Sequence, residues 1–121
     1  MMPGRDPARD RLIILKVDFA DPAYPDERFY CWHCVLLEGL LASFPALHSR
    51  IDVARIAWPK PREDVIALLG PDHQSLPVLI LADNAPAGLE TGRWKGTRFV
   101  AGKDAILHAL SVRHGIPVPH P

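Results

Sequence analysis

The sequence has no excess of either charge, because 14 Lys and Arg side chains balance 14 Asp and Glu side chains in its 121 residues. General nucleic-acid binders usually carry a basic excess, so the balance argues against that class of partner. The sequence also lacks a Gly-rich phosphate loop, a serine nucleophile at a strand–helix turn and a pair of catalytic carboxylates. These absences remove the usual sequence signals for nucleotide binding and for hydrolase chemistry.

Long hydrophobic runs are also missing. The longest strongly apolar stretch, residues 35–42, contains Glu38 and Gly39 and is far shorter than the ~20 residues that span a bilayer. The apolar run at residues 12–15 is too short for a cleavable signal peptide. We therefore expect a cytoplasmic protein without a membrane partner. In that compartment the two cysteines would be thiols or would cycle, rather than form a permanent bridge.

The sequence does contain enough apolar material for one globular domain, since 48% of its residues are apolar and 23% are charged. Thirteen prolines limit where helices can extend. Apolar patterns and these breaks predict strands at 12–18, 50–58, 77–81 and 97–101, and helices at 31–44, 61–69 and 103–114. We therefore predict an α/β fold of order β-α-β-α-β-β-α, in which helices flank a four-stranded mixed sheet.

The connections between these elements add detail. Two β-α-β steps favour parallel pairing, whereas the direct link between the third and fourth strands favours an antiparallel edge strand. Residues 83–96 are expected to form a loop or a loose hairpin connection, and residues 19–30 a loop long enough to suggest a functional role. We expect the domain to span residues 12–115, between a flexible N-terminus of residues 1–11 and an extended tail of residues 116–121.

Two cysteines stand at the predicted start of the first helix, in the tetrad Cys31-Trp32-His33-Cys34. At this spacing they share one helical turn and are close enough to form a small disulfide ring. The positive end of the helix dipole favours thiolate over thiol. Cys31, nearer to solvent, would be the nucleophile, and Cys34, further inward, would resolve the mixed disulfide. The alternative is two ordinary buried thiols, since free cysteine often acts as a small hydrophobe.

Two neighbouring residues are candidates for assisting the thiols. A protonated His33 would favour the thiolate of Cys31 and make the disulfide more oxidising. Its alternative role is that of an ordinary exposed helix residue. Glu38 follows Cys34 by one helical turn and could accept the proton of the inner thiol. An acid on a mostly apolar helix is more often paired with an arginine or exposed to solvent.

The tetrad on a strand, loop and helix, together with residues 74–77 (Gln-Ser-Leu-Pro) before the third strand, resembles the thioredoxin-like superfamily. The resemblance covers residues 12 to about 114 and implies a single thioredoxin-like domain. In that superfamily the proline before the third strand is cis and faces the cysteine motif, and Pro77 has that position. From the residues alone, a trans proline that starts a strand is the simpler interpretation.

The resemblance also implies how a substrate would bind. A cis bond at Pro77 would turn the backbone of Leu76 toward the site, where an extended thiol substrate could pair with it as an added strand. Residues 98–107 resemble the end of the glutaredoxin and glutathione-transferase domain, where a helix start holds the γ-glutamyl end of glutathione. Asp104 has that position, so glutathione is the cofactor or substrate that the resemblance suggests. Trp32 replaces the usual Gly or Pro, and would cover the thiol or offer a stacking surface.

These observations favour a thiol–disulfide oxidoreductase that acts on a small thiol or a protein disulfide through Cys31, Cys34 and His33. The alternative is a non-catalytic thioredoxin-fold binding module that kept the fold without turnover. A zinc site is a third and weaker interpretation, because a structural zinc needs four ligands and the chain has two cysteines. We therefore expect no metal.

Overall fold

A computed structural model describes residue 2 and residues 4–121 of the chain. Within these residues the strands are β1 (Arg11–Leu15), β2 (Asp52–Ile56), β3 (Val78–Ile80), β4 (Gly92–Trp94) and β5 (Thr97–Ala101). The helices are α1 (Trp32–Ser43), α2 (Pro45–Arg50), α3 (Glu63–Leu69) and α4 (Lys103–His114). The predicted α/β class with a mixed sheet is confirmed, and the strands form a single sheet of order β2-β1-β3-β5-β4.

The continuous apolar run of β1 becomes a central strand, as its pattern predicts. Every residue of this strand is buried. On one face of the sheet, Leu12 and Ile14 pack with apolar residues of α1, α2 and α4. On the other face, Ile13 packs with Val65 and Leu69 of α3. Helices therefore cover β1 on both sides, which places its C-terminal end between two layers.

The first β-α-β step gives parallel strands and the second does not. β1 pairs with β2 in parallel, whereas β3 runs antiparallel to β1, so the expectation of a second parallel pair is wrong. The 7 residues of α3 rise by only ~10 Å. The segment after Gly70 returns to the start of α3, where the Gln74 side chain accepts a hydrogen bond from the Arg62 N–H at 2.9 Å. β3 therefore begins at the edge of the sheet at which β2 ends.

The sheet has five strands rather than the predicted four, because part of the predicted loop 83–96 is a strand. β4 pairs with β5 through a two-residue turn at Lys95 and Gly96, whose φ values of 47° and 83° suit a tight hairpin. β4 is therefore the outermost strand of the sheet. β5, which was predicted to be the edge strand, lies between β3 and β4. Gly92 leaves room for the Phe99 ring, which lies 2.4 Å from where a Cβ would stand.

Pro45 stands between two helices. α1 stops at Ser43, close to the predicted end at residue 44, and α2, which no sequence pattern predicted, begins at Pro45. Proline fits the first position of a helix because its missing N–H has no partner there. α2 is too short to show a periodic pattern, and Leu47 is its buried residue. None of the helices in the described residues is long and apolar enough to cross a membrane.

The domain begins before the predicted boundary at residue 12, because Asp10 is anchored inside it. The buried Asp10 carboxylate lies 2.8 Å from Arg113 Nη2 and 2.7 Å from His114 Nε2, and it accepts the Ala82 N–H at 2.7 Å. Burial alone raises the pKa of Asp10, but these hydrogen bonds more than offset it and hold that pKa well below its usual range. The cluster joins the end of α4 to the start of β1, at the sheet edge opposite the cysteines.

The predicted loop 19–30 contains neither a helix nor a strand, and its two ends meet. Phe19 and Phe29 exchange backbone hydrogen bonds of 2.9 and 2.8 Å. The Phe19 ring also stacks on Trp58, with the ring centroids 5.4 Å apart. The loop is therefore closed at its base, directly before the start of α1.

Candidate active site

Cys31 stands immediately before α1 and caps that helix. Its backbone is extended, with φ −79° and ψ 114°, and its Sγ accepts a hydrogen bond from the Cys34 N–H at 3.3 Å. The first N–H groups of a helix have no carbonyl partner within the helix, so a sulfur at this position meets donors and a positive dipole. The Cys31 side chain is partly exposed. Cys31 is therefore a solvent-accessible thiol at the positive end of α1.

Cys34 lies one turn into the helix and is 1% exposed. Its Sγ accepts a hydrogen bond from the Leu15 N–H at 3.4 Å, at the end of β1. Burial, followed by the hydrogen bond with Cys31, raises the pKa of the Cys34 thiol to about 12. Both cysteines are free thiols, and the two residues approach each other to 3.0 Å. The predicted arrangement, with Cys31 outside and Cys34 inside, is confirmed.

The peptide bond between Leu76 and Pro77 is cis, which confirms the expectation drawn from the resemblance. β3 starts directly after Pro77 and pairs with β1, so Leu76 lies at the edge where β1 ends. Leu76 and Leu15 line one pocket of about 380 Å³. Because the Leu15 N–H also contacts Cys34 Sγ, the cysteine pair and the cis-proline segment share this edge of the sheet.

Arg62, which no sequence motif marked, brings a buried positive charge to the same edge. Its side chain lines the pocket formed with Leu15 and Leu76, and the residue is 8% exposed. Nε and Nη2 donate to the Trp58 carbonyl at 3.0 and 2.7 Å, and Nη1 donates to the Gln74 carbonyl at 2.8 Å. Burial lowers the pKa of Arg62. Neutral carbonyls therefore fix the guanidinium in place at the sheet edge where β1 ends.

The two residues between the cysteines differ in exposure. Trp32 is 68% exposed, and its ring centroid lies 4.0 Å from that of His33. His33 is half-buried, and its Nε2 is buried without a hydrogen-bond partner among the described residues. His33 is therefore not the freely exposed residue of the alternative interpretation, while Trp32 offers an exposed indole beside Cys31.

Asp104 lies in the first turn of α4, where the resemblance put it. Ala101 at the end of β5 pairs with Val78, so α4 begins at the same sheet edge as the cis-proline segment. The Asp104 carboxylate is 90% exposed, and its ion pair, 3.0 Å long, is with Lys103. The structure therefore places Asp104 at the same sheet edge as the cis-proline segment, where its charged partner is a lysine of its own helix.

Glu38 is bound to Arg55 of β2. Its two carboxylate oxygens accept hydrogen bonds from Arg55 Nη2 at 2.7 Å and Nε at 2.8 Å. These bonds hold the pKa of Glu38 below its ordinary value. The pairing interpretation is confirmed, and Glu38 has no observed contact with Cys34 through which to act as its base.

A protein-family model matches the part of the chain that contains all of these site residues. The family model described as "Protein of unknown function (DUF3088)" matches residues 9–118. The chain belongs to the DUF3088 family. The match begins before β1, ends after α4 and includes both cysteines and the cis-proline segment. No curated protein and no solved structure matches the chain.

Two further features border the DUF3088 site. An apolar groove of about 420 Å³ lies along the start of α1, lined in part by Val17, Phe29, Tyr30 and Val35. Tyr30, directly before Cys31, is among the exposed large side chains of the chain. Across residue 2 and residues 4–121, no group of three or more His, Cys, Asp or Glu side chains is placed to hold a metal ion.

No sequence pattern predicted Arg62 as a residue of the DUF3088 site. Arg62 belongs to the run Pro59-Lys60-Pro61-Arg62, which indicates only a turn between a strand and a helix. A single arginine has no spacing pattern. Its burial follows from the return of residues 71–77 to the start of α3, which is a tertiary feature. The excess of proline around it was the one available signal for a fixed local conformation.

Proposed function

We propose that this DUF3088 chain is a thioredoxin-like thiol–disulfide oxidoreductase whose redox centre is the Cys31–Cys34 pair. Without α2 and β4, the observed order of elements is the β-α-β-α-β-β-α order expected from the resemblance. The cis bond before β3 and the helix start at the cysteines support the same proposal. The proposed compartment is the cytoplasm, where a reducing pool would keep both thiols free between turnovers.

The observation that carries the proposal is the contrast between the two thiols. Cys31 is reachable and sits at the positive end of α1, whereas Cys34 is enclosed and has a raised pKa. A nucleophile needs access and thiolate character, while a resolving thiol needs only proximity to the first sulfur. One pair of residues therefore supplies both roles in the order that disulfide exchange requires.

The exchange proceeds in two balanced steps. The Cys31 thiolate attacks one sulfur of a substrate disulfide, forms a mixed disulfide and releases the other substrate sulfur as a thiolate. Cys34 then loses its proton, attacks Cys31 Sγ and forms the internal disulfide, while the second substrate sulfur leaves as a thiolate. The substrate gains two electrons and, with two protons, becomes two thiols. The protein dithiol becomes a disulfide, which a cellular thiol must reduce before the next cycle.

The remaining residues have supporting roles in this proposal. The backbone of Leu76 pairs with an extended substrate, either a small disulfide or a protein segment. Trp32 stacks against it. Glutathione is the small thiol that the position of Asp104 suggests. His33 adds positive charge beside Cys31 when it is protonated.

The test is disulfide exchange with an aromatic disulfide that releases a coloured thiolate, compared for the wild type, Cys31→Ser and Cys34→Ser. The wild type should release both halves of the reagent. Cys34→Ser should release one half and keep the other on Cys31, as an adduct visible in the intact mass. Cys31→Ser should react slowly, because Cys34 is buried. If all three proteins react at the rate of an unstructured cysteine peptide, or none reacts, the proposal is wrong.

The second candidate is a non-catalytic binding module on the same fold. The observation that favours it is the exposed Trp32 side chain beside Cys31, together with the apolar groove at Val17 and Tyr30. A binding module would retain every measurable property in Cys31→Ser. The same set of variants therefore separates the two candidates.

A further inference from the structure

Arg62 is a buried arginine whose described partners carry no negative charge. Its guanidinium donates to the carbonyls of Trp58 and Gln74, and its own N–H donates to the Gln74 side chain. None of the ion pairs among the described residues includes it. Carbonyl dipoles hold the side chain but leave its charge without a partner anion. Burying a charge is costly unless an opposite charge lies close to it.

The cysteine pair can supply the opposite charge when it is ionised. Arg62 shares a pocket wall with Leu15, whose N–H contacts Cys34 Sγ, and with Leu76 of the cis-proline segment. Burial and the hydrogen bond with Cys31 raise the pKa of the Cys34 thiol, and the positive charge of Arg62 offsets part of that rise. Burial lowers the pKa of Arg62, and the charges of Cys34 and Cys31 offset part of that fall. The cation and the sulfurs therefore interact through a poorly solvated region, where charge interactions are stronger than in water.

Most other charged side chains on the surrounding elements are exposed to solvent or already form ion pairs. The free charged or titratable groups on the neighbouring elements are Arg11 on β1, Lys16 directly after β1, His33 on α1, Lys60 before α3, and Glu63 and Asp64 at the start of α3. The paired groups are Asp18 with Arg28 and Glu38 with Arg55. Lys16 and Lys60 are exposed, so solvent and salt screen them. Arg11 is buried as well, but it lies at the opposite end of β1, where it donates to the Gly4 carbonyl. Glu63 and Asp64 line a second pocket with Arg62, and neither forms an ion pair among the described residues. Arg62 is therefore the buried cation at the end of β1 where the cysteines lie.

We infer, building on the proposed redox function, that Arg62 is a positioning residue for the cysteine pair: its fixed, uncompensated charge stabilises the thiolate that forms when the first of the two thiols loses its proton. The same charge stabilises the second thiolate as Cys34 loses its proton to attack the mixed disulfide. Arg62 forms no bond to the substrate and exchanges no electrons. It makes the reduced, ionised state of the pair easier to reach.

The test is the pH dependence of alkylation of Cys31 by iodoacetamide, read by mass spectrometry in the wild type, Arg62→Gln and Arg62→Lys. Alkylation follows the thiolate fraction. In Arg62→Gln the rate near neutral pH should fall by about threefold to tenfold, and the profile should move to higher pH. Arg62→Lys should retain most of the wild-type profile, because it keeps the charge although it forms fewer hydrogen bonds. A purely structural role would affect both variants alike.

Arg93→Gln is the matched control, since it removes an exposed arginine of β4, which lies at the far side of the sheet from β1. Its profile should equal that of the wild type. A folded Arg62→Gln with the wild-type profile overturns the inference, as does an equal shift in Arg62→Gln and Arg62→Lys. Alkylation needs no disulfide substrate, so a failure of this inference is distinguishable from a failure of disulfide exchange.

A second measurement covers the case in which Arg62→Gln does not fold. Lys16→Gln/Lys60→Gln removes the two exposed lysines and leaves Arg62 intact, and above the pH range in which histidine ordinarily titrates the fixed Arg62 charge should favour an anionic reagent. The rate of iodoacetate relative to iodoacetamide at Cys31 should then exceed the ratio measured for an unstructured cysteine peptide by roughly threefold. A ratio equal to or below that of the peptide overturns the inference.

Discussion

At the scale of single residues, the spacing of the two cysteines gives two identical side chains opposite environments. Cys31 takes the cap position, where its sulfur accepts an N–H and remains accessible. Cys34, three positions later, is turned into the core beside Leu15. The two thiols therefore differ in access before any substrate arrives, and burial raises the pKa of Cys34.

This difference predicts selective labelling. Brief treatment of the reduced protein with iodoacetamide near neutral pH should modify Cys31 and leave Cys34 largely unmodified, because the Cys34 thiol is 1% exposed and has a pKa raised to about 12. Peptide mass analysis locates the label. Denatured protein, as the control, should be labelled at both cysteines. Faster labelling of Cys34 than of Cys31 in the folded protein would contradict the assignment of roles.

A second residue-scale prediction concerns Asp10, which lies far from the cysteines. Asp10→Asn should lower the free energy of unfolding by about 3–5 kcal/mol, because it removes a fully buried carboxylate and leaves the half-buried Arg113 and His114 without their anion. Urea unfolding measures the change. Asp83→Asn, which removes the exposed partner of Arg5, should cost at most about 1 kcal/mol. Equal changes in the free energy of unfolding for the two variants would show that the buried cluster stabilises the fold no more than an exposed ion pair does.

The same carboxylate makes stability depend on pH. The folded pKa of Asp10 is depressed, so its contribution is fully present above the unfolded value near ~3.9 and is lost as the pH falls through the folded value. The free energy of unfolding of the wild type should therefore decrease below about pH 4 more steeply than that of Asp10→Asn. Unfolding curves at several acidic pH values test this. Parallel curves for the two proteins would contradict it.

At the scale of elements, two glycines provide a matched comparison. Gly70 ends α3 with φ 82°, and a Cβ there would lie 2.6 Å from Nε1 of Trp94. Gly70→Ala should therefore destabilise the fold by about 1–3 kcal/mol. Gly39 lies in α1 with open space around it, so Gly39→Ala should stabilise the fold by about 0.5–1 kcal/mol. Thermal unfolding that shifts both variants in the same direction would contradict this account.

The elements also show what sequence patterns can predict. β1 and α4 were predictable because a buried run and a terminal glycine mark them clearly, and β5 has its predicted bounds. β4 and α2 were missed because three and six residues are too few for a periodic signal. Their stability comes from neighbours, as the Phe99 ring over Gly92 illustrates. The direction of β3 depended on the path after Gly70, which no local pattern specifies.

At the scale of the whole molecule, chain reversal assembles the site from distant segments. Cys31 and Cys34 follow β1, Arg62 follows β2, and Pro77 precedes β3, yet all lie at one edge of the sheet. The cysteines and the proline were predictable, since a motif and a resemblance mark them. Arg62 was not, because the role proposed for it depends on its burial and on its lack of an ion-pair partner. These are properties of the assembled fold rather than of the residues near it in sequence.

The measurement that tests the central claim most directly is a redox titration of the Cys31–Cys34 pair. The protein is equilibrated in buffers of varied reduced to oxidised glutathione, free thiols are blocked, and the intact mass gives the oxidised fraction. We expect one reversible two-electron transition from dithiol to internal disulfide, which disappears in Cys34→Ser and is replaced by a glutathione adduct on Cys31. A wild-type protein that forms no internal disulfide at any ratio would contradict the account.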